Sequence, residues 1–133
     1  MPTRIGKYTV RLDNEPVVLG YASVVGKKEH EGPLGKFFDR FHDDTTLGED
    51  SWEKAESLLQ TESAETALDK AGLQKTDIDY ILAGDLLNQC ISSTFGLRSL
   101  EIPFLGQYGA CSTMAQTLGL ASILVDSGAA ERA

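Results

Sequence analysis

Cys111 is the residue whose setting best suits chemistry. It stands in Leu105-Gly106-Gln107-Tyr108-Gly109-Ala110-Cys111-Ser112-Thr113-Met114, after a short apolar run, Ile102 to Leu105, and before a helix-compatible run of small residues, Ala115 to Val125. Gly106 and Gly109 fall where a chain leaving a strand must bend sharply, and glycine accepts positive φ without steric cost. The spacing predicts a strand-turn-helix elbow with Cys111 at or near the first helical turn. Unpaired backbone N–H groups and the helix dipole favour a thiolate there, although the G-x-S-x-G pattern of other nucleophile elbows is absent. Two chemistries suit this place. One is attack of the thiolate on a thioester, which needs a general base and an oxyanion donor. The other is binding of a small anion at the N–H-lined helix start. Gln107, Ser112 and Thr113 would add hydrogen bonds and Tyr108 a ring face. Asp85, after the preceding predicted strand, shares the carboxyl end of the sheet, where ligands of open α/β sheets gather. A third reading is packing alone, because a cysteine among Ala, Gly and Thr behaves as a small hydrophobe.

The composition narrows the partners. A chain of 133 residues with 41% apolar content fits one domain. A net charge of −8 disfavours nucleic acid and anionic membrane surfaces, both of which attract Lys and Arg. No apolar run approaches the ~20 residues that span a bilayer, and the first residues lack the apolar stretch of a secretory signal. Cys90 and Cys111 form neither a disulfide framework nor a metal knuckle, so neither a metal nor a cofactor is expected. The reading is a soluble protein of a reducing compartment. The acidic group Asp43, Asp44, Glu49 and Asp50 lacks the order of a calcium loop and reads as a solvated surface loop, with His42 exposed beside it. Cys90 has no companion ligand and reads as inert.

The elements that must position the elbow follow from periodicity. Tyr8, Val10 and Leu12 alternate with Thr9 and Arg11 as in a half-exposed strand. Asp13 to Pro16 is a turn by composition. Val17 to Val25 reads as a buried strand, with Gly20 marking the close approach of another backbone. Phe37, Phe38 and Phe41 have the spacing of one amphipathic turn. Asp50 to Ala71 is a helix capped by Asp50, boxed by Glu53 and stopped by Gly72. Its stripe is Trp52, Ala55, Leu59, Ala67, Leu68 and Ala71, with Trp52 expected in packing. Tyr80 to Ala83 is a short buried strand, and Leu86 to Leu100 is helical in its later part. Alternating strands and helices predict a largely parallel sheet with right-handed crossovers.

The final stretch, Ser127 to Ala133, reads as a helix end and a loop that should feed another strand. Residues 1–133 are therefore expected to be the N-terminal part of a longer domain, whose sheet would otherwise leave a buried parallel strand unpaired.

Three segments carry a family resemblance: Ser51-Trp52-Glu53-Lys54-Ala55-Glu56, Ala83-Gly84-Asp85-Leu86-Leu87-Asn88-Gln89 and Gly106 to Met114. Together they resemble the thiolase-like superfamily and, within it, a stage V sporulation family of spore-forming bacteria. The resemblance implies an α/β, thiolase-like fold, of which this chain is an incomplete N-terminal half with a mostly parallel sheet and flanking helices. It also implies a homodimer that binds dipicolinic acid, alone or with calcium, as that compound moves into the developing spore. Partners would be the other stage V sporulation A proteins at the spore inner membrane, with this chain peripheral on the cytoplasmic side. Cys111 matches the condensing-enzyme nucleophile, vestigial or active, while the family's catalytic His, Asn or second Cys belong to a C-terminal half. An acyl-transferring condensing enzyme or thiolase is the alternative function.

Overall fold

The computed structural model describes residues 1–133 as three two-stranded sheets and four helices of mixed α/β character. The chain opens with an antiparallel hairpin, β1 (Thr3–Ile5) on β2 (Thr9–Arg11). The alternation around Tyr8 to Leu12 thus marks a strand, but a shorter one with every residue exposed. Short parallel pairs follow. β3 (Val24–Val25) pairs with β4 (Arg40–Phe41), and a single helical turn, α1 (Lys27–His30), lies between them in sequence. β5 (Ile81–Ala83) pairs with β6 (Phe104–Gly106) in the register Ile81 to Phe104 and Ala83 to Gly106. Between these two strands the chain makes α3 (Ile91–Leu97).

The expected buried strand from Val17 to Val25 is corrected. Only Val24 and Val25 join a sheet, and Val17, Val18 and Tyr21 are about three-quarters exposed. Their β-branched and aromatic character suits a ladder, but no strand lies beside them to form one. Gly20 keeps its expected role. A Cβ there would sit 2.8 Å from the Ala67 carbonyl oxygen and 2.9 Å from the Ala71 Cβ, so glycine permits the extended segment to lie against the long second helix. The phenylalanine turn is also corrected, since Gly35–Phe37 forms a 3-10 turn while Phe41 belongs to β4.

That helix, α2 (Trp52–Ala71), is rich in Ala, Leu, Glu, Lys and Gln, which lose little freedom on becoming helical. Its cap is Ser51 rather than Asp50. The Ser51 hydroxyl accepts the Lys54 N–H at 3.3 Å, and Asp50 instead pairs with the Lys54 ammonium at 2.7 Å. Gly72 ends the helix in the left-handed conformation at φ 68°, as expected. Ala55 is the one fully buried residue of the predicted stripe. Trp52 is 56% exposed, because it precedes the stretch where α3 crosses the helix. At that crossing the contacts are small and polar: Ser57 Oγ donates to the Ser92 carbonyl at 2.7 Å and Thr61 Oγ1 to the Gly96 carbonyl at 2.8 Å.

The last helix, α4 (Thr113–Ser127), packs on β5. Asp126 near its end is wholly buried and accepts the Asn14 N–H at 2.6 Å, which ties the turn after the hairpin to the helix. Beyond it, Asp79 accepts the N–H groups of Glu131 at 2.6 Å and Arg132 at 3.1 Å. Nine residues are buried, and the apolar ones are only Ala55, Leu97, Leu100 and Ala130. The histidines take places of their own. His30 stacks on Phe41 with ring centroids 3.5 Å apart, and His42 meets Glu62 at 2.6 Å. The expectation that His42 is merely exposed is corrected, because Glu62 on α2 offers a half-buried carboxylate partner.

Two expectations follow from these anchors. Ser51→Ala removes the acceptor of an otherwise unpaired helix N–H and lowers stability by about 1 kcal/mol, while Asp50→Asn leaves the denaturation midpoint nearly unchanged. The Arg132 and Glu131 N–H groups hold the Asp79 carboxyl below its ordinary pKa. A depressed carboxyl contributes stability above its unfolded value of about 3.9 and loses it as pH falls through the folded value. Protection of the Glu131 and Arg132 amides, measured against their intrinsic exchange rates, therefore persists above ~pH 5 and is lost only as pH falls below the unfolded value. Asp79→Asn brings fast exchange at neutral pH.

Candidate functional site

The elbow forms where the sequence puts it, by a different backbone route. β6 ends at Gly106, residues Ala110–Ser112 make a 3-10 turn, and α4 begins at Thr113. The left-handed residue is Ala110 at φ 47°, not Gly106 or Gly109, and Gly109 itself has φ −141°. A non-glycine residue in that region is uncommon and strained, and such strain gathers at functional sites. The turn is held by its own hydroxyls. Thr113 Oγ1 accepts the Gly109 N–H at 3.1 Å, and Ser112 Oγ donates to the Gly109 carbonyl at 2.7 Å. Cys111 is exposed at the tip, one residue before Ser112, which leads into the fifteen-residue helix α4.

The loop after β5 forms the opposing wall. Gly84 lies so close to the Gln107 carbonyl that any Cβ at this position would overlap the oxygen. Asp85 follows, only 4% exposed. Its carboxylate accepts the Cys90 N–H at 2.7 Å, the Ser93 N–H at 3.0 Å and the Ser93 hydroxyl at 3.4 Å. A buried carboxylate needs such donors to offset its lost hydration. These bonds fix a turn in which Gln89 and Cys90 are both left-handed, at φ 45° and 69°. The turn aims the Cys90 thiol at the Gln107 carbonyl, 3.4 Å away.

The six predicted site residues therefore divide. Tyr108, Cys111 and Ser112 are exposed on the elbow, with Gln107 and Thr113 half-buried beside them. Asp85 is turned inward and engaged with α3. A cavity of about 560 Å³ adjoins, bounded by Asp85, Ala110, Thr113, Met114 and two residues of α2, Glu56 and Gln60. Asp85 and Thr113 line it, whereas Gln107, Tyr108, Cys111 and Ser112 do not. Sequence reasoning missed Cys90, which links the Asp85 loop to the elbow. Its left-handed backbone is set by Asp85 across five residues, and no local pattern announces it.

The arrangement offers a solvent-facing thiol, exposed hydroxyl and phenol groups, and the start of a long helix within one turn. The two thiols should react differently. Cys111 is exposed, while Cys90 is half-buried and hydrogen-bonded, so limiting maleimide modifies one thiol per chain rapidly and the second slowly. Cys111→Ser abolishes the fast phase, and equal rates for both thiols would contradict the geometry.

Comparison with known proteins now bears on this elbow. The family model described as stage V sporulation protein AD matches residues 6–133. The stage V sporulation protein AD of Bacillus subtilis (strain 168) is 44% identical over 128 residues, covering 96% of this chain and 38% of the relative. The chain thus spans well under half the length of that relative. With nearly the whole chain matched, including the elbow and the Asp85 loop, it belongs to the stage V sporulation protein AD family.

Proposed function

We propose that this chain forms part of a sporulation protein that binds dipicolinic acid and supports its passage into the developing spore, with the elbow around Cys111 as one wall of the ligand site. The observation that carries the reading is the exposed Cys111 tip at the start of α4, in a chain that belongs to a sporulation family. A dicarboxylate with an aromatic ring needs N–H donors at its charged ends and a flat or apolar face for its ring. The Cys111 N–H suits the first need, since the Ser112 and Thr113 N–H groups and the Ser112 hydroxyl already donate within the turn, and Tyr108 suits the second. Asp85, with both carboxylate oxygens engaged by α3, serves as a positioning residue that steadies the elbow through Cys90 and Gln107. Dipicolinate would meet the site alone or with calcium. The protein would act as a homodimer beside the other stage V sporulation A proteins at the spore inner membrane. No helix of the chain is long and apolar enough to cross a membrane, which accords with a peripheral place there.

Acyl transfer by a Cys111 thiolate is the second reading, favoured by the same exposed sulfur. It requires a base, and the chain's two histidines are engaged with Phe41 and Glu62. The two readings part in one pair of measurements on the full-length protein. Calorimetric titration with dipicolinate should give a micromolar or weaker Kd, about −8 kcal/mol or smaller in magnitude. Incubation with acyl-coenzyme A should leave the intact mass unchanged. An acyl adduct on Cys111 without heat of dipicolinate binding would reverse the assignment.

A further inference from the structure

The loop that faces the elbow is anchored at both ends by carboxylates, one its own and one from α2. Its far half, Cys90 to Ser93, is held by the two oxygens of Asp85. Its near half, Leu86 to Gln89, is exposed. Within residues 86–89 a single hydrogen bond reaches another element: the Leu86 N–H donates to Glu56 Oε1 at 2.9 Å. The other bond of that stretch is local, from the Ile91 N–H to the Asn88 carbonyl at 2.9 Å. Glu56 lines the 560 Å³ cavity together with Leu86 and with Ala110 and Thr113 of the elbow. Its second oxygen, Oε2, is buried without a hydrogen-bond partner, as is Gln60 Oε1 one helical turn further on. The ion pairs of α2 engage Lys54, Glu62 and Lys70 instead. A carboxylate drawn from water on these terms is costly, and its bond to Leu86 is what offsets the cost.

The effect of that bond extends to the elbow. Leu86 follows Asp85 directly, and Gly84 just before it is pressed against the Gln107 carbonyl. The Cys90 thiol bears on the same carbonyl from the far half of the loop. Asp85 therefore fixes one end of the contact with the elbow, and Glu56 ties the other end to α2. A hydrogen bond to a carboxylate is about twice as strong as one between neutral groups, so this tie is the firm one for an otherwise exposed segment. Tyr108, Cys111 and Ser112 do not border the cavity that Glu56 lines, so Glu56 acts on them through the loop. Its negative charge opposes a nearby dianion, whereas the reach of its accepting oxygen sets where the loop sits. We infer that Glu56 is a positioning residue for the elbow site, acting through the hydrogen bond it accepts from Leu86 and not through its charge. This role rests on dipicolinate binding at the elbow, and it names the α2 residue that shapes the opposing wall.

Two substitutions in the full-length protein separate reach from charge. Glu56→Gln keeps an accepting oxygen at the same distance from the helix and removes the charge. Glu56→Asp keeps the charge and draws the oxygen back by one methylene. The readouts are exchange of the Leu86 amide, the maleimide rate at Cys90 and the calorimetric Kd for dipicolinate. With Glu56→Asp, Leu86 exchange should rise about tenfold, the size expected for one charge-assisted bond. Cys90 should react several-fold faster and the Kd should rise several-fold, while amides inside α2 keep their protection. Glu56→Gln should leave all three readouts within about twofold of the parent protein. Glu56→Gln as damaging as Glu56→Asp would make the charge the working feature and overturn the inference. An unmoved Leu86 amide in Glu56→Asp would overturn it too, as would a loosened loop at unchanged Kd, which confines Glu56 to the fold. Loss of protection throughout α2 along with Leu86 counts against it in the same way. If the parent protein gives no heat with dipicolinate, the ligand reading fails by itself, and the Leu86 and Cys90 rates, which need no ligand, still decide whether Glu56 holds the loop.

Discussion

The buried carboxylate of Asp85 is the interaction on which the site depends. Three donors from one short segment, the Cys90 N–H, the Ser93 N–H and the Ser93 hydroxyl, converge on it. A charge removed from water and left without such donors costs several kcal/mol, so the segment 85–93 is held in the one arrangement that supplies them. That arrangement puts Cys90 in a left-handed conformation with its thiol on the Gln107 carbonyl. Gly84, pressed against the same carbonyl, completes the contact between the loop and the elbow. The buried charge thus shapes the loop that rests against the base of the Cys111 elbow.

The rest of the chain supports this joint with little apolar burial. Helices α2 and α3 meet through serine, threonine and glycine, and the hairpin is tied to α4 through a buried aspartate. Such contacts specify geometry more than they add stability, because each hydrogen bond nets only about 1 kcal/mol after water is displaced. Many large apolar side chains line the cavity between α2, β5 and α4 or stay exposed, as in the segment before β3.

The elbow, the helix ending at Gly72, the parallel pairing of β5 with β6 and the close approach at Gly20 were legible in the sequence. Each is a local signal: small residues between an apolar run and a helix, a terminal glycine, alternating elements, a lone glycine among β-branched residues. What escaped depends on groups distant in sequence. Ser51 caps α2 because Asp50 is drawn to Lys54, a choice between neighbours that composition leaves open. His42 looked solvated because Glu62 is twenty residues away. Val17–Tyr21 has the composition of a buried strand, but burial is set by what lies alongside, and there a cavity lies where a paired strand would be. At the elbow the bend was foreseen, but the left-handed residue is an alanine, held by the turn's own hydrogen bonds rather than by glycine's freedom.

A ligand seated at the elbow must shield the one thiol that faces solvent there. The most direct measurement is the rate at which iodoacetamide modifies Cys111 in the full-length protein as dipicolinate is added. Saturable slowing at Cys111, with Cys90 unaffected, is the predicted result. An unchanged rate at dipicolinate concentrations that produce heat of binding would place the ligand elsewhere and contradict the assignment of this site.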